Sequence, residues 1–407
     1  MESYSYILDI ALILISTKLF GLISRRCQMP QVVGALFAGL ILGPAVLNIV
    51  HETEFLTQLA ELGVILLMFF AGLETDISEL KQSGKVSLVT AILGIIVPLI
   101  GGFFVAMYFN REGIMPFEAN SSVFLQNIFI GTILTATSVS ITVETLKEMG
   151  KLNSKVGNTI LGAAIIDDIL GIVALTVVIS FSSSDVNIGG VLIKILLFFV
   201  FAGIASAIFY KIFKGWLDKD EKHKRRYVIA VFAFCLFLSY ISERYFGVAD
   251  ITGAFIAGLT LSPLSKKYYI EEKLDTVSYA LLSPIFFASI GLKLVLPEMS
   301  ITIVMFAVAL TIIAVISKII GCGLGCKLFK YTNRESLQVG IGMVSRGEVA
   351  LIVANKGFSA GLINTDVLAP ILIVVIATTI LSPILLKMSY TYKAGKSEPE
   401  LNAVSDL

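Results

Sequence analysis

Two adjacent carboxylates, Asp167 and Asp168, sit in the middle of the apolar run Ala163-Ala164-Ile165-Ile166-Asp167-Asp168-Ile169-Leu170-Gly171. A charge at bilayer depth costs on the order of 2.5–3.5 kcal/mol even on insertion-based scales, so such residues mark functional sites when the helix spans a membrane. In a soluble core helix the same pair would be a buried, paired curiosity. Composition decides between these readings. Hydrophobic residues make up 56% of the 407 residues, charged residues 15%, and the mean hydropathy is +0.90. That is far above an ordinary globular domain, and only a bilayer can solvate the excess. Adjacent residues on a helix point about 100° apart, so the two aspartates cannot do the same work.

Other residues reach the same depth. Asp167 lies twelve residues beyond Lys155, about 18 Å at 1.5 Å per residue, and Lys318 lies nine before Lys327, roughly 14 Å. Thr137 and Ser138 precede Lys147 by nine or ten residues, and Arg346 follows Arg334 by twelve. Four segments therefore place polar groups in one layer. Lys318 is too deep to snorkel comfortably, and a pair with a carboxylate is preferred. Arg346 and Glu348 are two apart, so on a regular helix they do not face each other. They have separate partners or lie where the helix breaks, and Glu144 is a candidate cross-helix partner for Arg346 in a structural charge clamp. A hard cation wants several oxygen ligands, which Asp168, Asp167, the Thr137 and Ser138 hydroxyls, loose carbonyls and water would supply. Such a site can exchange a small cation for protons.

Thirteen candidate spans position these groups, at about 6–24, 32–50, 56–73, 86–109, 123–147, 156–181, 188–215, 226–246, 251–263, 276–294, 301–326, 336–358 and 367–387. The fold class expected is an all-α polytopic membrane protein. No basic n-region precedes the first span, which reads as a membrane helix and not a cleaved signal. Of the 31 basic residues, 23 fall in loops on the side of the C-terminus. This predicts an N-terminus outside and a cytoplasmic C-terminus, with a short polar cytoplasmic tail over 391–407. The net charge of +1 suggests no nucleic-acid partner. Cys27, Cys235, Cys322 and Cys326 are scattered, and with two histidines in the chain they suggest small buried thiols, not a zinc site.

The chain repeats itself. Gly34-Ala35-Leu36-Phe37-Ala38-Gly39-Leu40-Ile41-Leu42-Gly43-Pro44 is echoed at Gly253–Pro263 with seven identities in eleven positions, and Phe69-Phe70-Ala71 is echoed more faintly by Phe286-Phe287-Ala288. The echoed spans are seven apart, an odd number, which predicts two inverted-topology six-helix repeats joined by a linker helix at 188–215. Spans five and twelve are repeat mates, and both look discontinuous. One carries Thr135-Ala136-Thr137-Ser138-Val139-Ser140-Ile141-Thr142, the other Gly340, Gly342 and Gly347. Broken helices at membrane depth line cavities or are buried in protein.

These motifs resemble the monovalent cation:proton antiporter-2 family, the Kef-like sodium/hydrogen exchanger fold. The resemblance rests on Ile165–Gly171, Thr135–Ser140, Gly34–Pro44 and Ser345-Arg346-Gly347-Glu348, in order along essentially the whole of residues 1–390. It implies core helices at about 86–181 and 301–387, dimerisation helices at about 6–73 and 226–294, an elevator-like movement and a homodimer. It also implies that paired aspartates with a lysine on span eleven go with electrogenic exchange. Carried onto this chain, Asp168 belongs to the ion cavity and Asp167 to the pair with Lys318, with Na+ held at Asp168 and Asp167. The potassium-efflux branch commonly carries a nucleotide-binding domain; the chain stops at Leu407 without one, and nucleotide gating is not expected. The activity implied is Na+ (with Li+) against H+, with K+ as the alternative cation and no cofactor. A cation channel and an organic-anion symporter are the competing classes. An enzyme is disfavoured, because no nucleophile–base pair or metal cluster is visible.

Overall fold

The computed structural model describes residues 4–391, apart from 28, 76, 118, 120, 182–187, 218–223, 265, 294–299 and 360. The tail expected beyond residue 391 lies outside the described residues. Each expected span overlaps a helix, though the one expected over 32–50 ends at Leu42, and no strand occurs among the described residues. Nine helices among these residues are long and apolar enough to cross a membrane alone. Large apolar side chains such as Ile15, Leu19, Leu196, Ile204, Ile312 and Ile320 are about half exposed or more. Water would not tolerate that surface; lipid does.

One group of helices is built on the contact between α4 (Ile77–Phe109) and α13 (Ile301–Leu328). Against this pair lie α5 (Val123–Ile133), α7 (Lys155–Ser180), α14 (Asn333–Gly342) and α16 (Thr365–Thr391), with α15 (Glu348–Ser359) on α5 and α16. A second group joins α1 (Ser5–Arg26), α2 (Gln31–Leu42), α3 (Glu54–Glu74), α9 (Lys224–Ile241), α10 (Asp250–Leu261) and α12 (Ser283–Leu292). Between the groups runs α8 (Ile188–Leu217), touching α7 on one side and α10 on the other. α6 (Val139–Glu148) also meets both, through α7 and α16 and through α2 and α3. α11 (Lys267–Val277) runs into α12 through a π-helical turn at Ser278–Leu282, and α9 ends in another at Ser242–Phe246.

Local chemistry sets the helix starts. The hydroxyls of Thr53, Ser122, Ser154, Ser300 and Thr332 each accept a backbone N–H of the first turn, a cap worth about 1 kcal/mol. At α14 the cap is reciprocal, because Glu335 accepts the Thr332 N–H at 2.8 Å. Glu335 also receives Lys155 from the start of α7 at 3.1 Å. Burial alone would raise its carboxyl, yet the Thr332 N–H and Lys155 outweigh it and hold it below the ordinary carboxylate range.

The echoed glycines are packing contacts. A Cβ on Gly39 of α2 would come within 2.0 Å of the Ala288 carbonyl of α12, and one on Gly258 of α10 within 2.0 Å of the Phe69 carbonyl of α3. A Cβ on Gly291 would come within 2.5 Å of Leu36 O, and one on Gly72 within 2.1 Å of Phe255 O. Every residue in these contacts has its counterpart 219 positions away. Phe69 therefore corresponds to Ala288, and the fainter echo, which sets Phe69 against Phe286, is two residues out of register. Aromatic identity was a poor guide, since helix approach is governed by small residues and backbone. The other group behaves alike: a Cβ on Gly131 of α5 would lie 2.3 Å from Leu99 O of α4, and one on Gly340 of α14 would lie 2.7 Å from Ile319 O of α13.

Gly258→Ala forces α10 and α3 apart, so it is expected to destabilise by about 1–3 kcal/mol or more. Thermal unfolding in detergent checks this, with Gly203→Ala as control, because a Cβ there meets nothing within 4 Å.

Candidate functional site

Both expected breaks exist, and they cross. α5 stops at Ile133 and α6 resumes at Val139, while α14 stops at Gly342 and α15 resumes at Glu348. The freed backbone groups bind each other. Ser138 N donates to Ser345 O at 2.8 Å, and the Ser345 hydroxyl donates to Ser138 O at 2.7 Å. The Thr142 hydroxyl donates to Gly342 O at 2.6 Å and lies 3.0 Å from Ser345 Oγ. With no water inside the apolar layer, these bonds are what make the breaks tolerable.

Arg346 is fully buried at this crossing. Its guanidinium donates to Val344 O and Leu134 O, each at 2.6 Å, and to Ala314 O at 3.3 Å. Leu134 caps the C-terminus of α5, and Val344 lies two residues past the last residue of α14. The cation thus sits where two helix dipoles end negative. The Thr379 hydroxyl from α16 bonds the Arg346 carbonyl. Five carbonyls of the two breaks, those of Leu134, Ser138, Val344, Ser345 and Arg346, are therefore already occupied.

The Glu144–Arg346 clamp is not present. The charged groups around Glu144 are Lys147, Glu148, Asp275 and Glu74, and Arg346 binds carbonyls instead. Glu144 lies more than a turn past the break on α6, toward the helix end that carries Lys147. Glu348 opens α15, and its side chain lies outside the described residues.

Asp167 and Lys318 come together. Lys318 Nζ, from α13, lies 3.0 Å and 3.2 Å from the two Asp167 oxygens on α7, and both residues are buried. Gly94 of α4 makes room for the pair: a Cβ there would lie 3.6 Å from Lys318 Nζ and 2.6 Å from Cys322 Sγ. Thr137 sits beside the Asp167 carboxylate without a hydrogen bond of regular geometry. Arg346 is the second cation acting on Asp167. Cys235, Cys322 and Cys326 are buried thiols, whereas Cys27 is exposed after α1.

Asp168, one position on, is 8% exposed and lines a cavity of about 1240 Å³ together with Asp167. The cavity lies between the two helix groups, with α7, α15 and α16 on one wall and α3, α9 and α12 on the other. It runs from the aspartates to Glu52, Glu243, Arg244 and Lys356, all exposed. Thr137 and Ser138 are not among its lining residues. Thr132 and Thr135, which sequence reasoning missed as site residues, line that wall instead, along with Thr176 of α7. The signal for the first two was the i, i+3 spacing at the end of α5, which puts both on one face. The result is a water-sized path to one carboxylate, next to a second already engaged by a lysine.

Residues 11–388 match the family described as sodium/hydrogen exchanger, transmembrane. The chain is 41% identical over 392 residues to the Na+/H+-K+ antiporter GerN of Bacillus cereus, covering 96% of this chain and 97% of that protein. It is 36% identical over 382 residues to the Na+/H+ antiporter of Enterococcus hirae, covering 93% and 96% respectively. Among solved structures, that of the sodium proton antiporter MjNhaP1 from Methanocaldococcus jannaschii at pH 8 aligns with a TM-score of 0.67. Identity there is 20%, over 95% of this chain and 97% of the other, a likeness of fold.

Proposed function

This chain belongs to the sodium/hydrogen exchanger family, and from that premise we propose that it is a secondary antiporter of Na+, with Li+, against H+. The Asp167-Asp168 pair with Lys318 is the reason to place it in the Kef-like, monovalent cation:proton antiporter-2 branch. The observation that carries the reading is the buried Asp167–Lys318 pair beside Asp168, at the end of an open cavity. Asp168 is the ion ligand that the cavity reaches, helped by Asp167 and by the Thr132 and Thr135 oxygens. Because Lys318 already holds both Asp167 oxygens, a cation that draws on Asp167 competes with it, and the group titrates together. A lysine paired with one of two adjacent aspartates is the feature that goes with electrogenic exchange in the family this chain resembles, and it supports an electrogenic cycle here.

On the orientation expected from lysine and arginine, the cavity mouth is external and the protein is in a plasma membrane. The helix group of α4–α7 and α13–α16 is then the moving core of an elevator, with α6 moving with the core although it also touches α2 and α3. The group of α1–α3 and α9–α12 is the fixed dimerisation domain of a homodimer. The contacts repeated 219 residues apart support an inverted repeat of six helices. GerN is named an Na+/H+-K+ antiporter, which favours K+ as the second cation to test.

Proton flux in reconstituted vesicles tests the reading, with Na+, Li+ and K+ supplied in turn. Na+ and Li+ are expected to drive protons, at a rate that responds to an imposed membrane potential. Absence of proton movement with all three cations would overturn the assignment.

A further inference from the structure

α6 is only ten residues long, yet it links two things. Its first residues follow the crossing at Ser138–Ser345, beside the aspartates. Its last two are Lys147 and Glu148, and both leave their own helix group. Lys147 Nζ lies 3.4 Å from Glu74 Oε1 at the end of α3, 3.5 Å from Asp275 Oδ1 on α11, and 4.8 Å from the centre of the Phe70 ring. Glu148 Oε2 accepts the N–H of Gln31, the first residue of α2, at 2.8 Å. An anion at that place meets free N–H groups and the positive end of the helix dipole.

The location is as telling as the contacts. Glu52, at the cavity's exposed end, precedes α3; Glu74 is its last residue, 22 positions further on. Along a helix that separation is roughly 30 Å, about a membrane's thickness. The contacts of Lys147 and Glu148 therefore lie at the face opposite the cavity mouth. Among the described residues, the ion pairs that join the two helix groups are those of Lys147.

We propose that Lys147 and Glu148 form a latch that holds this opposite face shut, and that it must release before Asp168 can be reached from there. The inference rests on the antiport reading above, in which the site faces each side in turn. A partly exposed ion pair contributes little by itself, so the latch can be broken in each cycle. Glu74 suits the part: a carboxylate at a helix C-terminus is ill placed against the dipole, and Lys147 relieves it.

Thiol labelling tests the latch without requiring transport. Thr145 is fully buried on α6, just inside the contacts. Thr145→Cys is made in a full-length background with Cys27, Cys235, Cys322 and Cys326 replaced by alanine. A membrane-impermeant maleimide is then applied from the face that bears Lys155 and Arg334. Lys147→Gln is expected to speed labelling roughly fivefold, and Lys147→Arg to keep it slow. Should Lys147→Gln fail to fold, Glu74→Gln with Asp275→Asn removes the acceptors and leaves α6 untouched. Equal labelling rates in parent and neutralised variants would overturn the latch even if vesicles still exchange. Faster labelling in a protein that moves no protons would support the latch and overturn the antiport reading instead.

Discussion

Asp168→Asn is expected to abolish cation-driven proton movement in vesicles while the protein still inserts and folds. Asparagine keeps the shape of the side chain, so packing around α7 changes little. What disappears is the charge. Of the two carboxylates, Asp168 is the more exposed at the cavity wall, 8% against 2% for Asp167. Losing a charge-assisted interaction costs up to about 3 kcal/mol, which is a hundredfold in affinity. An amide also neither takes up nor releases a proton at ordinary pH, so both halves of the cycle fail together. The measurement is proton flux on adding Na+, beside a melting curve of the same preparation. Full flux in a well-folded Asp168→Asn protein would move the ion site elsewhere in the cavity.

Much of this arrangement was legible before any coordinates, because a bilayer leaves few choices. With 15% charged residues in the chain, each charge inside a span stands out, and counting rise per residue puts Asp167, Lys318 and Arg346 at one depth. The breaks were legible from Thr135–Thr142 and from Gly340, Gly342 and Gly347, whose side chains or lack of them loosen a helical ladder. The partners were less so. Arg346 binds the carbonyls of Val344, Leu134 and Ala314, and a carbonyl leaves no mark in a sequence. Glu144 was drawn to Arg346 by complementary charge, but helical phase carries it toward Lys147.

Thr137 and Ser138 illustrate a second limit. They lie inside the break, where the 3.6-residue period no longer says which side chain faces the cavity. Thr132 holds that wall from the last turn of α5, and Thr135 from the turn that continues it, where its N–H and hydroxyl both bond Thr132 O. The latch at Lys147 and Glu148 was invisible for another reason: both residues read as ordinary basic and acidic ends of a helix. Only the packing of α6 against α2 and α3 gives them partners in the other group.

Lys318→Ala should have the largest effect on stability, and its reasoning is the mirror image of the first case. Lys318 is fully buried and its ammonium bonds both oxygens of Asp167. Removing one partner of such a pair leaves an uncompensated charge in a low-dielectric layer, at a cost of about 3–5 kcal/mol. The melting temperature in detergent is expected to fall by at least about 5 °C. Asp167→Asn added to Lys318→Ala removes the stranded charge, so the double variant should recover most of the loss, the non-additivity expected of residues in direct contact. Arg346, the other cation acting on Asp167, limits the fall without abolishing it, because its guanidinium is tied to three carbonyls. The same substitution removes a cation from the site, and with it the feature on which the proposed electrogenic cycle rests. Exchange that survives should therefore respond less to an imposed membrane potential. A melting temperature and a voltage dependence both equal to the parent's would mean that the pair neither stabilises the fold nor takes part in charge movement. Lys318 would then be a passenger beside Asp167.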